Sequence, residues 1–245
     1  MSSEILIVVP TYNERDNVVP LCEELLARPE LPDVLVVDDN SPDGTAAEAR
    51  AVAARYPDRT HVLCRESKGG RGGAVLAGFT WGLGRDYRFF FEMDADFSHR
   101  PDEISLFLEA ARKADVVVGS RYLPASRILN WPPARRFFSK LANRYARFLL
   151  RIPITDYTNG FRCYRRAAVE ALDVAAVNAS GYIVLSEIAY QLYRRRFRFA
   201  EVATEFVNRR RGESNLSPGE IISAFVGVLR LAAKGGRFGP SRDRP

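Results

Sequence analysis

Phe89-Phe90-Phe91-Glu92-Met93-Asp94-Ala95-Asp96 decides how the chain is read. A short apolar run suits a strand buried on both faces, as in a parallel sheet. This one runs straight into two carboxylates one residue apart. The same plan recurs upstream. Ile5-Leu6-Ile7-Val8-Val9 leads into Pro10-Thr11-Tyr12-Asn13-Glu14, and Val34-Leu35-Val36-Val37 leads into Asp38-Asp39. His61 to Cys64 and Val116 to Val118 read as further strands, the latter ending at Gly119. Helical patterns lie between them. Val18, Leu21, Leu25 and Leu26 share one face, Thr45 with Glu48 reads as a capping box, and Pro101 opens a helix with Asp102 and Glu103 in its first turn. Such alternation predicts an α/β fold: a doubly wound, mostly parallel sheet with helices on both faces. Ligands bind such sheets beyond the carboxyl ends of the strands. The loops after Val9, Val37 and Met93 are therefore expected to line one site.

The second half has a different texture. Trp131 to Arg151 reads as a basic, aromatic helix, Phe161 to Tyr164 as a strand, and Ile183 to Tyr193 as a helix. Phe199 to Val207 reads as one strand, and Pro218 to Lys234 as an amphipathic helix. No repeat and no Pro- or Ser-rich linker divides the chain. The expected organisation is a catalytic domain over residues 1–215, including an interfacial helix at 131–151. A C-terminal amphipathic helix at 216–236 and a disordered tail at 237–245 follow.

Composition narrows the partners. With 36 Lys and Arg against 30 Asp and Glu, the net charge is +6, which favours nucleotides, phosphates, nucleic acid or lipid headgroups. Cys22, Cys64 and Cys163 form no CxxC pair, so neither a disulfide framework nor a zinc site is expected, and a reducing compartment fits. His61 and His99 are too few for a histidine metal centre. Met1 to Pro10 shows no signal peptide. The apolar window Ile221 to Leu229 falls short of the ~20 residues that span a bilayer, so membrane contact is expected to be peripheral.

Asp94 and Asp96 suit a hard divalent cation, because Mg²⁺ takes one or two carboxylates and completes its shell with phosphate oxygens and water. A cation held there neutralises a diphosphate. A solvated acidic turn is the plainer alternative. Asp39 is expected to face the ligand while Asn40-Ser41-Pro42-Asp43-Gly44 builds the turn. Lys68-Gly69-Gly70-Arg71-Gly72-Gly73 lacks the ending of a P-loop, but glycines before a helix admit phosphate to the helix N-terminus. On the helix from Trp131 to Arg151, Arg136, Lys140, Arg144, Arg147 and Arg151 fall within roughly 80° of arc. Phe137, Phe138, Leu141, Tyr145, Phe148 and Leu149 fill the adjoining face. A basic stripe beside an aromatic face suits a membrane interface; a core-packed helix with a solvated Arg face is the alternative.

Read in order, Pro10-Thr11-Tyr12-Asn13-Glu14, Asp38 to Thr45, Asp94-Ala95-Asp96-Phe97-Ser98-His99 and Gly119-Ser120-Arg121-Tyr122 resemble a known family. Asn130-Trp131-Pro132, Thr158-Asn159-Gly160-Phe161-Arg162, and Asn208-Arg209 through Gly212-Glu213-Ser214 extend the resemblance. From Val8 to about Ile222 the chain resembles the polyprenyl (dolichyl) phosphate mannose synthases and their bacterial relatives, family 2 glycosyltransferases of GT-A fold. The resemblance implies inverting transfer of mannose from GDP-mannose to a polyprenyl monophosphate, with Mg²⁺ or Mn²⁺. By the same resemblance, Pro10, Tyr12, Glu14, Val37 and Asp39 hold the nucleotide, with Lys68 and Ala95 in the donor site. Asp94, Asp96 and Ser98 hold metal and diphosphate. Arg121, Arg135 and Ser139 receive the acceptor phosphate, and Arg209 lies near the donor phosphates. Asp96, Arg121, Arg135, Ser139 and Arg209 form the implied catalytic set. Such an enzyme works peripherally on the cytoplasmic face of a membrane, with room for a separate membrane-anchoring protein. Two departures stand out: relatives commonly carry Lys at Asn215, and Leu at Gly69 and Arg71.

Two rival readings stay open. One is the same fold using another nucleotide sugar, of UDP-glucose type, or another acceptor. The other is a non-catalytic binder of anionic lipid or nucleic acid. Nucleic acid is not expected, because the acidic loops repel polyanions and no base-stacking module is recognisable.

Overall fold

A computed structural model describes residues 3–177, 183–208 and 218–233, with the side chains of 218–224 excepted. In chain order the first elements are β1 (Ile5–Thr11), α1 (Arg15–Leu26), β2 (Asp33–Asp38), α2 (Thr45–Arg55), β3 (Thr60–Cys64), α3 (Gly70–Leu83) and β4 (Phe89–Glu92). A 3₁₀ turn at Pro101–Glu103 then leads into α4 (Ile104–Ala110), β5 (Val116–Ser120), β6 (Arg127–Leu129) and α5 (Pro133–Leu150). The remainder is β7 (Arg162–Arg165), α6 (Arg166–Glu170), α7 (Ile183–Arg194), β8 (Phe199–Ala203), β9 (Glu205–Val207) and α8 (Pro218–Ala233). Seven strands form one sheet in the order β3-β2-β1-β4-β7-β5-β8. Only β7 runs antiparallel to its neighbours.

Strand alternation produces two cores. Leu6 and Val8 of β1 point to one face, where α3, α6, α7 and the inner edges of α5 and α8 cover them. Ile5, Ile7 and Val9 point to the other, under α1, α2 and α4. Apolar side chains on both faces explain why these strands are nearly continuous hydrophobic runs. Helix α3 approaches the sheet most closely at Gly78, where a Cβ would overlap Val8 and press on Val37.

Two local expectations need correction. Thr45 is not an N-cap. Gly44, at φ 91°, holds the N-cap position, and the Asp43 carboxylate accepts the Thr45 N–H (3.0 Å). The Thr45 hydroxyl instead donates to Asp43 Oδ1 (2.6 Å) and accepts the Glu14 N–H (2.9 Å), tying the turn after β2 to the loop after β1. The segment Phe199 to Val207 is two strands. At Thr204 the Glu103 carboxylate takes the Thr204 hydroxyl and the Glu205 N–H. The chain there leaves the main sheet and pairs with β6 in a separate two-stranded sheet. The expected tail at 237–245 lies outside the described residues.

Gly78→Ala is expected to destabilise the fold by ~1–3 kcal/mol, because overpacking against Val8 outweighs the helix propensity gained. Urea unfolding measures this. An equal or higher midpoint in the variant would show that α3 stands off the sheet.

Candidate active site

The ends of β1, β2 and β4 meet at one edge of the sheet, as parallel strands require, and a cavity of about 320 Å³ opens there. Pro10, Tyr12 and Glu14 line it from the first loop, Asp39 from the second, and Asp94, Ala95 and Asp96 from the third. Lys68, Gly70 and Arg71 contribute from the glycine-rich loop, Thr158 and Gly160 from the approach to β7, and Val184 and Leu185 from α7. The three loops predicted to share a site do so.

Each acidic side chain has a distinct job. Asp38 is buried and accepts from Thr11 Oγ1 (3.1 Å), Ser41 N–H (2.9 Å) and Ser41 Oγ (2.6 Å), so it builds the turn. Asp39 reaches the cavity wall, but its carboxylate also accepts from Arg65 (2.6 Å) and from the amides of Gly69 and Gly70, the latter at 2.7 Å. The N-terminus of α3 therefore receives a protein carboxylate. This corrects the expectation that its amides receive phosphate. Lys68 sits over the Tyr12 ring, its Nζ 3.6 Å from the centroid, which places a cation on the cavity wall.

The third loop is held by a buried network. The Asp94 N–H donates to His99 Nδ1 (3.2 Å), leaving His99 Nε2–H to donate to Asn159 Oδ1 (2.8 Å). The Asn159 amide in turn donates to the Gly119 carbonyl (2.6 Å). Burial lowers the pKa of His99, against the opposing pull of Asp94 and Asp96, and both ring nitrogens are committed. His99 is a neutral strut. Asp96 accepts the Ser98 N–H (3.0 Å), and Phe97 between them takes φ 59°, a strained value for a bulky residue. Glu92, fully buried, accepts from the Tyr164 hydroxyl (2.7 Å) and from Arg71 (2.9 Å).

A second cluster holds the residues expected at the acceptor. Arg121 grips Asp156 side-on, with Nε to Oδ2 at 2.7 Å and Nη2 to Oδ1 at 2.8 Å, and also donates to Thr158 Oγ1 (2.6 Å). Its guanidinium carbon lies 5.2 Å from the centroid of the Trp131 ring. Arg135 covers the same ring at 4.2 Å and donates to Asn208 Oδ1 (2.9 Å). Ser139 accepts the Tyr122 hydroxyl (2.6 Å). Arg121, Arg135 and Ser139 are thus brought into one neighbourhood around Trp131 and Tyr122. Thr158 joins this neighbourhood to the cavity.

Two expected ligands sit elsewhere. Val37 is fully buried in the core against α3, because alternation turns it away from the cavity; its side chain does not line the site. Ser98 is buried and outside the cavity lining, where its amide orients Asp96. Arg209 and Asn215 lie outside the described residues. Sequence reasoning missed Arg65, Asp156 and Glu92. The last carried a signal: a glutamate ending a strand of three phenylalanines.

Among the described residues no group of three or more His, Cys, Asp or Glu side chains forms a metal cage. Asp94 and Asp96 on one cavity wall still suit Mg²⁺ or Mn²⁺, because such ions keep water and phosphate oxygens in their shell. An acidic cavity beyond the carboxyl ends of a mostly parallel sheet, walled by helices, has the architecture of GT-A glycosyltransferases. Residues 6–173 match the family model described as glycosyl transferase family 2, and the chain belongs to that family of enzymes. The polyprenol monophosphomannose synthase of Mycolicibacterium smegmatis is 44% identical over 233 residues, 94% of this chain and 87% of that protein. The undecaprenyl-phosphate mannosyltransferase of Micrococcus luteus is 44% identical over 234 residues, 94% of this chain and 95% of that protein. Glucosyl-3-phosphoglycerate synthase from Mycobacterium tuberculosis, solved with Mn²⁺, uridine diphosphate and glucosyl-3-phosphoglycerate, superposes with a TM-score of 0.66. It is 17% identical, covering 97% of this chain and 81% of that one, a likeness of fold alone.

Asp156 is fully buried, and although burial opposes its charge, Arg121 holds its pKa below the usual aspartate value. Removing one partner strands the other charge, so Asp156→Ala is expected to cost ~3–5 kcal/mol at neutral pH. A depressed folded pKa contributes stability above the unfolded value and loses it as pH falls through the folded one. The gap between wild type and variant in urea unfolding should therefore narrow in acid. A gap that stays constant to pH 3 would remove this pair as the source.

Proposed function

We propose that the chain transfers mannose from GDP-mannose to a polyprenyl monophosphate, with inversion, at the cytoplasmic face of a membrane. The observation that carries this reading is the single cavity in which Asp39, Asp94 and Asp96 meet beside the Arg121 and Arg135 cluster. In this reading they are a donor site and an anion site joined through Thr158, which lines the cavity and accepts from Arg121. The mannosyltransferases at 44% identity over nearly the whole chain support the sugar and the lipid acceptor. Residues 1–215 form the catalytic domain in this reading, and α8 within 216–236 is its C-terminal appendage.

The reaction is a single displacement. A phosphate oxygen of the acceptor bonds to the anomeric carbon as the bond from that carbon to the diphosphate oxygen breaks. The acceptor is already an anion at neutral pH, so no protein base is required, which agrees with a neutral, fully bonded His99. The chain's task is to hold two anions together. Arg121 and Arg135 supply positive field on the acceptor side, and Lys68 does so at the donor mouth. Asp94 and Asp96 would hold Mg²⁺ or Mn²⁺, which offsets the charge of the leaving diphosphate. Arg209 is proposed to assist near the donor phosphates.

The lipid face is α5. No described helix is long and apolar enough to cross a membrane. Phe137, Phe138 and Phe148 are nevertheless 65%, 65% and 76% exposed, with Leu141 among them and Leu229 of α8 exposed on the helix beside it. Phe137, Leu141 and Phe148 fall within roughly 40° of arc, next to the Arg and Lys stripe. Tyr145 and Leu149 of the same helix pack against the core, so the exposed part of the aromatic face is Phe137, Phe138, Leu141 and Phe148, which suits an anionic interface.

A panel of nucleotide sugars with polyprenyl phosphate tests the donor. GDP-mannose with Mg²⁺ or Mn²⁺ is expected to be the best substrate, and preferential turnover of UDP-glucose would replace this reading with its rival. Asp96→Ala is expected to lower metal-dependent transfer at least ~100-fold with the thermal midpoint little changed. Near-normal turnover by that variant would remove the metal from the mechanism. Phe137→Glu with Phe148→Glu is expected to weaken binding to anionic vesicles by roughly tenfold or more. Unchanged co-sedimentation would move the membrane contact off α5.

A further inference from the structure

Arg71 is an unexpected resident of the cavity. From the first turn of α3 its guanidinium reaches Asp94 Oδ1 through Nε (2.6 Å) and Glu92 Oε2 through Nη1 (2.9 Å), and Nη2 donates to the Gly160 carbonyl (3.1 Å). Position 160 is open to it only as glycine, because a Cβ there would overlap the guanidinium. Glu92 is itself fixed from its other side by Tyr164. The cation is thus held in a fitted slot at the cavity wall, sharing a carboxylate with the candidate metal position.

We infer that Arg71 is a positioning residue that competes with the divalent ion for Asp94 and so weakens the hold of the nucleotide-free cavity on that ion. This rests on the metal reading proposed above. Two physical effects act in the same direction. The guanidinium occupies one Asp94 oxygen, and its fixed charge repels a second cation entering a few ångströms away.

The test is Mn²⁺ titration of the nucleotide-free protein, with free Mn²⁺ read by electron spin resonance. Arg71→Leu is expected to bind Mn²⁺ about tenfold or more tightly than wild type, since a nearby positive charge has been removed. Arg71→Gln keeps a hydrogen-bond donor but no charge and should follow Leu; it also serves if the Leu variant does not fold. Arg71→Lys keeps the charge and should stay within about threefold of wild type. A neutral variant that is folded by circular dichroism and binds Mn²⁺ no tighter than wild type overturns the inference alone. Absence of Mn²⁺ binding in wild type and neutral variants alike overturns it together with the metal reading.

Discussion

Like charges gathered at one edge of a sheet must be held apart or paired, and this constraint organises the whole ligand edge. Parallel strands deliver Asp39 and Asp94 to loops on either side of β1, with Glu92 fully buried at the last position of β4. Arg65 meets Asp39, Arg71 bridges Glu92 and Asp94, and a little further along Arg121 closes on Asp156. A buried carboxylate left without such a partner costs ~3–5 kcal/mol. The arginines are therefore structural before they are functional. They let an acidic cavity exist in a protein whose overall charge is positive.

The glycine-rich loop shows how the same residues change meaning once the partners are known. Its amides at Gly69 and Gly70 are committed to Asp39, and the next residue sends its side chain across the cavity mouth. The first turn of α3 is in effect an adaptor between two acidic strand ends. The positive end of the helix contributes to the electrostatics of the site by stabilising Asp39.

Much of this was legible in the sequence. Apolar runs followed by acidic turns identify β1, β2 and β4 and predict that their loops converge, since strand direction in an α/β sheet leaves little choice. The basic and aromatic helix was equally readable in its periodicity. Other features were not local enough to read. The break at Thr204 depends on Glu103, a residue distant along the chain, which captures both the hydroxyl and the next amide. The role of Thr45 depends on the Glu14 N–H arriving from another loop. The inward turn of the Val37 side chain follows from alternation along a strand, which sends consecutive side chains to opposite faces. Asp156 looked like one acid in an ordinary loop, and only its bond to Arg121 reveals it.

The reversed strand β7 has a consequence for how such a molecule can diversify. β5 ends at the ligand edge, and β7, running the other way, begins there. Everything between them, including β6 and α5, is therefore a detour that departs from and returns to the same rim. The exposed part of that excursion can change without shifting strand register, while Ala146, Leu150 and Tyr157 keep it anchored to the core. The rim is in this sense a socket, and the helix α5 with its exposed aromatic side chains is one of the fittings it can carry.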